Sequence, residues 1–235
     1  MPSVQGTPVA NRLIGLLPRP QQIQFLAECQ TIELHSGEIL TEPGQRIHHA
    51  YFPGTCFISV IAPINIAAGL EVGMIGDEGM FGIGLVLGID ISPLRAIIQG
   101  AGSAWRMNGA VFDRAIKRSP ALRRVLNRYL YVAFSQMAQT AACTRFHVVE
   151  ARLARWLLMT QDRAHSEQLH VTQEFLAYML GVRRVGVTKA ATTLQQKNLI
   201  RYRRGDITIV DRSGLENAAC QCYEADKKVY AQIIG

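Results

Sequence analysis

LHVTQEFLAYMLGVRRVGVTKAA, residues 169–191, has the spacing of two short helices crossed about a tight turn. Leu176, Ala177 and Leu180 share one side of a first helix, Gly181 supplies the backbone freedom for the turn, and Val182, Val187 and Ala190 share one side of a second. Ala177 is small where the two backbones approach most closely. Thr172 is placed to cap the first helix, with Gln173 and Glu174 near its start, where free backbone amides favour a phosphate. Arg183, Arg184, Thr188 and Lys189 are left on the outer face of the second helix, long cations and a short hydroxyl that reach phosphate or base edges. The pattern predicts a helix-turn-helix directed at double-stranded DNA, although helical hairpins without a DNA role share its apolar part.

The next stretch, LIRYRRGDITIV at residues 199–210, alternates as two short strands joined at Arg204-Gly205-Asp206. A hairpin directly after a second helix predicts a winged helix-turn-helix, with Arg203 and Arg204 where a wing lies along the sugar-phosphate backbone. The alternative is a solvated basic hairpin packed on a helical domain. The net charge of +7 is modest for 235 residues, but it is local. Residues 145–212 hold 12 Lys and Arg against 6 Asp and Glu, while residues 1–144 hold 11 against 9. The basic surplus coincides with the expected DNA-facing segment, where phosphate contacts make affinity salt-dependent.

With 49% hydrophobic and 18% charged residues the chain has enough apolar side chains for packed cores and is not a disordered polymer. No apolar run approaches the length of a membrane span and the first residues lack signal-peptide order, which leads to the expectation of a cytoplasmic protein without a membrane partner. Five scattered cysteines, Cys29, Cys56, Cys143, Cys220 and Cys222, do not suggest a disulfide framework.

Three regions follow one another, predicting an α+β protein. Residues 1–118 begin with helix over 9–28, broken at Pro18 and Pro20. From Thr31 to about Met107 the Gly-rich turns at Ser36-Gly37, Pro43-Gly44, Pro53-Gly54 and Gly76-Asp77 indicate an antiparallel β roll. Residues 119–145 read as one long helix, capped by Ser119 with Pro120 in its first turn. In it Leu122, Leu126, Tyr129, Ala133, Gln136, Thr140 and Cys143 recur at alternating four- and three-residue steps, the spacing of a coiled-coil seam, so the helix is expected to pair with a second copy in a homodimer. The competing possibility is a helix lying on its own roll. The basic face of Arg123, Arg124 and Arg128 is taken as solvated surface. Residues 146–235 hold the DNA-binding domain.

EVGMIGDEGMFG at residues 71–82, the long helix near 120–145, and LHVTQEFLAYMLG at 169–181 followed by Arg184 together carry a family likeness: over nearly its whole length the chain resembles the Crp/Fnr superfamily of bacterial transcription regulators. The resemblance implies a cyclic-nucleotide-binding-like β roll, a dimer helix, a C-terminal winged helix-turn-helix, a pseudo-palindromic operator and RNA polymerase as a further partner. In cyclic-nucleotide receptors of this superfamily a Phe-Gly-Glu segment and a later Arg hold the ribose and phosphate. Here Phe81-Gly82 is followed by Ile83, and alignment on Pro93 and Ala96 puts Leu94 where the arginine is expected. Arg95 is one residue off, and neighbouring side chains on a strand point to opposite faces. An unpaired phosphate against Ile83 and Leu94 would cost several kcal/mol, so Phe81, Gly82, Ile83, Leu94 and Arg95 are expected to form a degenerate effector pocket.

In the DNA-binding domain the same resemblance assigns Arg183, Gly186 and Thr188 to backbone contact and Arg184 and Lys189 to guanine acceptors in the major groove. Arg203 contacts the backbone from the wing. Val185 stands where many relatives carry Glu, so a thymine methyl replaces a cytosine amine as the expected contact.

No cofactor and no metal site are expected. The tight N-terminal cysteine cluster of the family's iron-sulfur sensors is missing, His35, His48, His49 and Cys56 lie in a turn-rich region where solvated histidines are common, and Cys220 and Cys222, a close pair that could oxidise or bind a soft metal, are read instead as small packing residues because nothing basic or histidine-rich accompanies them. Catalysis is not expected either: Phe81-Gly-Ile-Gly-Leu-Val-Leu-Gly88 has the wrong glycine spacing for a dinucleotide loop, and the other mechanical motifs are missing. The alternatives weighed are a cyclic-nucleotide-responsive or redox- or metal-responsive member of the same family, and a signalling scaffold that never touches DNA.

Overall fold

The computed structural model describes residues 11–65 and 68–235. Two short helices come first, α1 (Arg12–Gly15) and α2 (Arg19–Ala27), interrupted at Pro18; residues 9 and 10 of the expected helical segment lie outside the described residues. Asn11 caps α1 by accepting from the Leu13 amide at 3.1 Å. Seven strands follow: β1 (Gln30–Leu34), β2 (Ile39–Thr41), β3 (His49–Pro53), β4 (Phe57–Asn65), β5 (Ala68–Ile75), β6 (Arg95–Gly100) and β7 (Gly102–Asn108). They form two antiparallel sheets, ordered β1-β7-β3 and β2-β6-β4-β5. The roll interior is filled by Leu34, Ile58, Phe81, Ala96, Ile98 and Ala104.

α3 (Gly109–Arg118) leads into α4 (Pro120–Phe146), where Ser119 Oγ accepts from the Leu122 amide at 3.0 Å and Pro120 occupies a position that needs no donor. The outer side of the roll and these helices share a second core. In it Phe52 meets Phe25 and Phe112 edge-on, with ring centroids 5.2 and 6.0 Å apart.

The C-terminal part consists of α5 (Val149–Ala164), β8 (Gln168–His170), α6 (Gln173–Leu180), α7 (Arg184–Gln196), β9 (Ile200–Arg203), β10 (Asp206–Ile209), α8 (Arg212–Ala218) and α9 (Cys222–Ile233). Its small sheet has the order β8-β10-β9, so the expected hairpin gains a third strand from the segment that enters α6. The core of this part continues into the roll: Leu153, Leu157, Leu176 and Leu194 belong to one apolar cluster with Phe57, Ile61 and Met74. Polar contacts reinforce the junction. Arg163 donates to Glu78 Oε1 at 2.6 and 2.9 Å, Trp156 Nε1 donates to Glu71, and Arg95 donates to the Tyr178 hydroxyl at 3.3 Å.

The expected pairing seam is corrected by this packing. Leu122, Leu126 and Tyr129 are buried in the core shared with the roll, and Cys143 is buried beside Cys220 and Cys222. Ala133, Gln136 and Thr140 lie on that same inward side and are half-buried. Leu122, Leu126, Tyr129 and Cys143 are used within the chain and are not available to a partner. At 100° per residue the opposite face of α4 carries Asn127, Tyr131, Phe134, Ala138, Ala141 and Arg145, all exposed and again at alternating four- and three-residue steps. Tyr131 is 57% and Phe134 68% exposed, high values for aromatic side chains on a helix.

Candidate nucleic-acid interface

Local chemistry sets the two crossed helices. Thr172 Oγ1 accepts from the Phe175 amide at 3.1 Å, which starts α6, and Gly181 ends it in the left-handed region at φ 61°. Leu176, Met179 and Leu180 of α6 and Val187, Ala190, Ala191 and Leu194 of α7 are buried, which fixes the rotation of both helices. The remaining face of α7 presents Arg184, Val185, Thr188, Lys189 and Thr192 to solvent. Val185 is 58% exposed, an apolar side chain placed among cations.

Arg183 is the residue before the first turn of α7 and is exposed, without a side-chain capping bond. Gly186 is half-buried: a Cβ there would stand 3.9 Å from Val149 Cγ2, so this position faces the start of α5 more than the solvent. The Thr188 hydroxyl has two acceptors in reach, Gln173 Oε1 at 2.8 Å and the Arg184 carbonyl at 3.1 Å. Gln173 therefore bridges the start of α6 to α7 in the free protein.

The wing turns through Arg204 and Gly205, both at positive φ (54° and 92°), between the paired residues Arg203 and Asp206. This is the two-residue connection whose twist matches that of its strands. Arg203 and Arg204 are exposed at its tip. The wing is fastened to the start of α6, since the Val171 amide donates to the Gly205 carbonyl at 2.6 Å and Tyr202 Oη donates to the Val171 carbonyl at 2.8 Å. A cleft between the start of α6, the outer face of α7 and the wing is lined by Thr172, Gln173, Arg184, Thr188, Thr192 and Arg204. Hydroxyls, an amide and two guanidiniums suit phosphate oxygens and base-edge acceptors.

Sequence reasoning did not single out Thr192, which extends the Arg184–Thr188 row by one helical turn and was legible from that spacing. Arg204, expected with Arg203 along the sugar-phosphate backbone, lines the cleft.

In the roll, Phe81 belongs to the interior cluster, whereas Ile83, in a 3-10 turn at Ile83–Leu87, packs toward the helices. Gly82 has φ 93°, and a Cβ there would press on the His49 carbonyl at 3.2 Å. Leu94 lies before β6 and its amide donates to Ser92 Oγ at 3.2 Å. Arg95 points away from the interior that receives Ala96; it is paired with Glu42 at 2.9 Å and reaches Tyr178 on α6. Its hydrogen bond to Glu42 is the first cause raising its pKa further above the ordinary arginine value.

Residues 151–218 match the model of the Crp-like helix-turn-helix domain. Among solved structures, the chain is similar to a Crp/Fnr-family transcriptional regulator from Eubacterium rectale, at 17% identity over 89% of this chain and 98% of that one, with a TM-score of 0.71. It is similar to the c-di-GMP-responsive global regulator CLP of Xanthomonas campestris, at 18% identity over 82% and 99% of the two chains, TM-score 0.68. It is also similar to FixK2 of Bradyrhizobium japonicum, at 13% identity over 82% and 98%, TM-score 0.68. No curated protein matches the sequence.

Proposed function

We propose that this chain, which carries a Crp-like helix-turn-helix domain on the fold of the Crp/Fnr regulators, is a sequence-specific, DNA-binding transcription regulator that works as a homodimer. The observation that carries the reading is the outer face of α7, where Arg184, Val185, Thr188 and Lys189 are exposed beside a basic wing while the opposite face is locked in the core. Arg184 and Lys189 are the base-reading cations, Val185 touches a thymine methyl, and Thr172, Gln173, Thr188, Arg183, Arg203 and Arg204 serve the backbone. Gly186, expected among the backbone contacts, faces Val149 at the start of α5 and is left out of the contacting set. The dimer joins through the exposed face of α4 around Tyr131 and Phe134, and places two reading heads about one DNA turn, ~34 Å, apart on a pseudo-palindromic operator. RNA polymerase is the protein partner at the promoter.

The effector is not a cyclic nucleotide on this reading. Ile83 and Leu94 offer no charge, and the neighbouring Arg95 is already paired with Glu42.

Selection of bound fragments from random DNA supplies the operator and binding assays then separate two roles. Arg184→Ala is expected to weaken operator binding by about 1–3 kcal/mol and to relax preference at one base pair per half-site. Arg203→Ala is expected to weaken operator and random DNA alike and to lower the salt dependence by about one phosphate contact per subunit. An Arg184→Ala protein with unchanged preference, or a wild type indifferent to salt, would reject the docking.

A further inference from the structure

We propose that Cys143, His147, Cys220 and Cys222 form a binding site for a single soft divalent ion of the zinc class, at the joint between α4 and the reading head. Cys143 lies in the last turn of α4 and His147 caps its end, four residues on; Cys220 precedes α9 and Cys222 begins it. The fold brings these two limbs together across more than 70 positions of sequence. The ligand atoms of all four residues lie within 4.8 Å of one another. Cys143 Sγ stands 3.5 Å from Cys220 Sγ, and Cys222 Sγ stands 3.5 Å from His147 Nδ1.

A tetrahedral ion with ~2.3 Å bonds to sulfur needs ligand atoms about 3.8 Å apart, so small side-chain rotations close the set. Three thiolates and one imidazole are a closed structural donor set, whereas an iron-sulfur cluster distributes its ligands over several irons and holds them farther apart. The surroundings suit the charge. Three thiolates and a divalent ion leave one net negative charge; the buried guanidiniums of Arg152 and Arg155 both act electrostatically on Cys143 and Cys220, and since Arg155 is paired with Asp226 at 2.6 Å, Arg152 is the balancing charge. Gln139 Nε2 already donates to Cys222 Sγ at 3.0 Å, as an outer partner of a ligand does. Loading forms four metal–ligand bonds and releases up to three thiol protons to solvent, without oxidation or reduction.

The site spans the two-residue break between α4 and α5, His147 and Val148, and therefore sets the angle at which the reading head leaves α4. That regulatory consequence rests on the DNA-binding reading above; metal binding itself does not. The test uses Co2+ titrated into the reduced full-length protein. Expected are thiolate-to-cobalt charge-transfer bands and the intense visible bands of a tetrahedral centre, saturating at about one equivalent per chain and bleached by zinc. Cys222→Ser and His147→Ala should lose this signal, Gln139→Ala should weaken binding by about tenfold, and Cys56→Ser should leave it intact. No tetrahedral cobalt spectrum from reduced wild-type protein overturns the site, as does a Cys143–Cys220 disulfide in protein that takes up no metal after reduction. If metal binds but operator affinity is the same with and without zinc, the regulatory consequence falls and the site is structural. If neither form binds DNA, the functional reading fails instead.

Discussion

Glu71 is a buried acid in the junction between the roll and the helix-turn-helix domain. It stands on β5, accepts from Trp156 on α5, and has one carboxylate oxygen buried without a partner. Burial raises its pKa to about 7 from 4.5, against the opposing pull of hydrogen bonds from Ser59 and Trp156 and of the Arg163 and Arg155 charges. Because the folded pKa is the higher one, the folded state holds a proton that the unfolded state has released between pH 4.5 and 7. Stability therefore falls as pH rises through that window and levels off above it, by about 3 kcal/mol at most. Glu71→Gln should remove this slope, with melting temperature above wild type at pH 8 and close to it at pH 4.5. Thermal melts at the two pH values test this, and parallel curves for the two proteins would reject it.

Among the elements, α4 shows why some features were legible in sequence and others were not. Its start was legible because Ser119 and Pro120 act locally, as were the ends of α6, where Thr172 and Gly181 act within a few residues. The face it turns inward was not legible. Two heptad-spaced rows lie on opposite sides, one through Leu122, Leu126 and Tyr129 and one through Tyr131, Phe134 and Ala138, and only the roll's own surface decides which is covered. The thiol group was hidden for the same reason, since Cys143 and Cys220 are neighbours only in the folded chain. So was the docking of α6 on β5, which places Tyr178 against Gly69. Phe134→Glu should leave the fold intact and convert a dimer to a monomer in sedimentation, with the melting temperature lowered only by the lost dimer linkage, because a solvated carboxylate costs nothing in the free chain and much in an apolar seam. Tyr129→Glu should instead unfold the roll, since Tyr129 is buried in its helical core. A dimeric Phe134→Glu protein would place the interface elsewhere.

At the scale of the whole molecule, the roll and the helix-turn-helix domain are one packed body with a common apolar cluster. No helix of the described residues is long and apolar enough to cross a membrane. The turn Asp77-Glu78-Gly79 after β5 is where distant segments meet. The Arg12 amide donates to the Asp77 carbonyl at 2.7 Å, Asn11 Nδ2 donates to the Gly79 carbonyl at 2.9 Å, Tyr230 Oη donates to the Glu78 carbonyl at 2.9 Å, and Arg163 pairs with the Glu78 carboxylate. A Cβ on Gly79 would lie 2.2 Å from Tyr129 Oη, so the turn admits no side chain there. Amide hydrogens show what this means in time. The Gly79 amide, bonded to the Gly76 carbonyl at 3.1 Å, cannot reach water by the fraying that opens most loops, since four fastenings must let go together. It should exchange with deuterium as slowly as the amides of β4, at a rate set by global unfolding, and the same denaturant dependence for both in native-state exchange is the outcome that verifies it. A turn that by its sequence reads as a loop would then be among the last parts of the molecule to open.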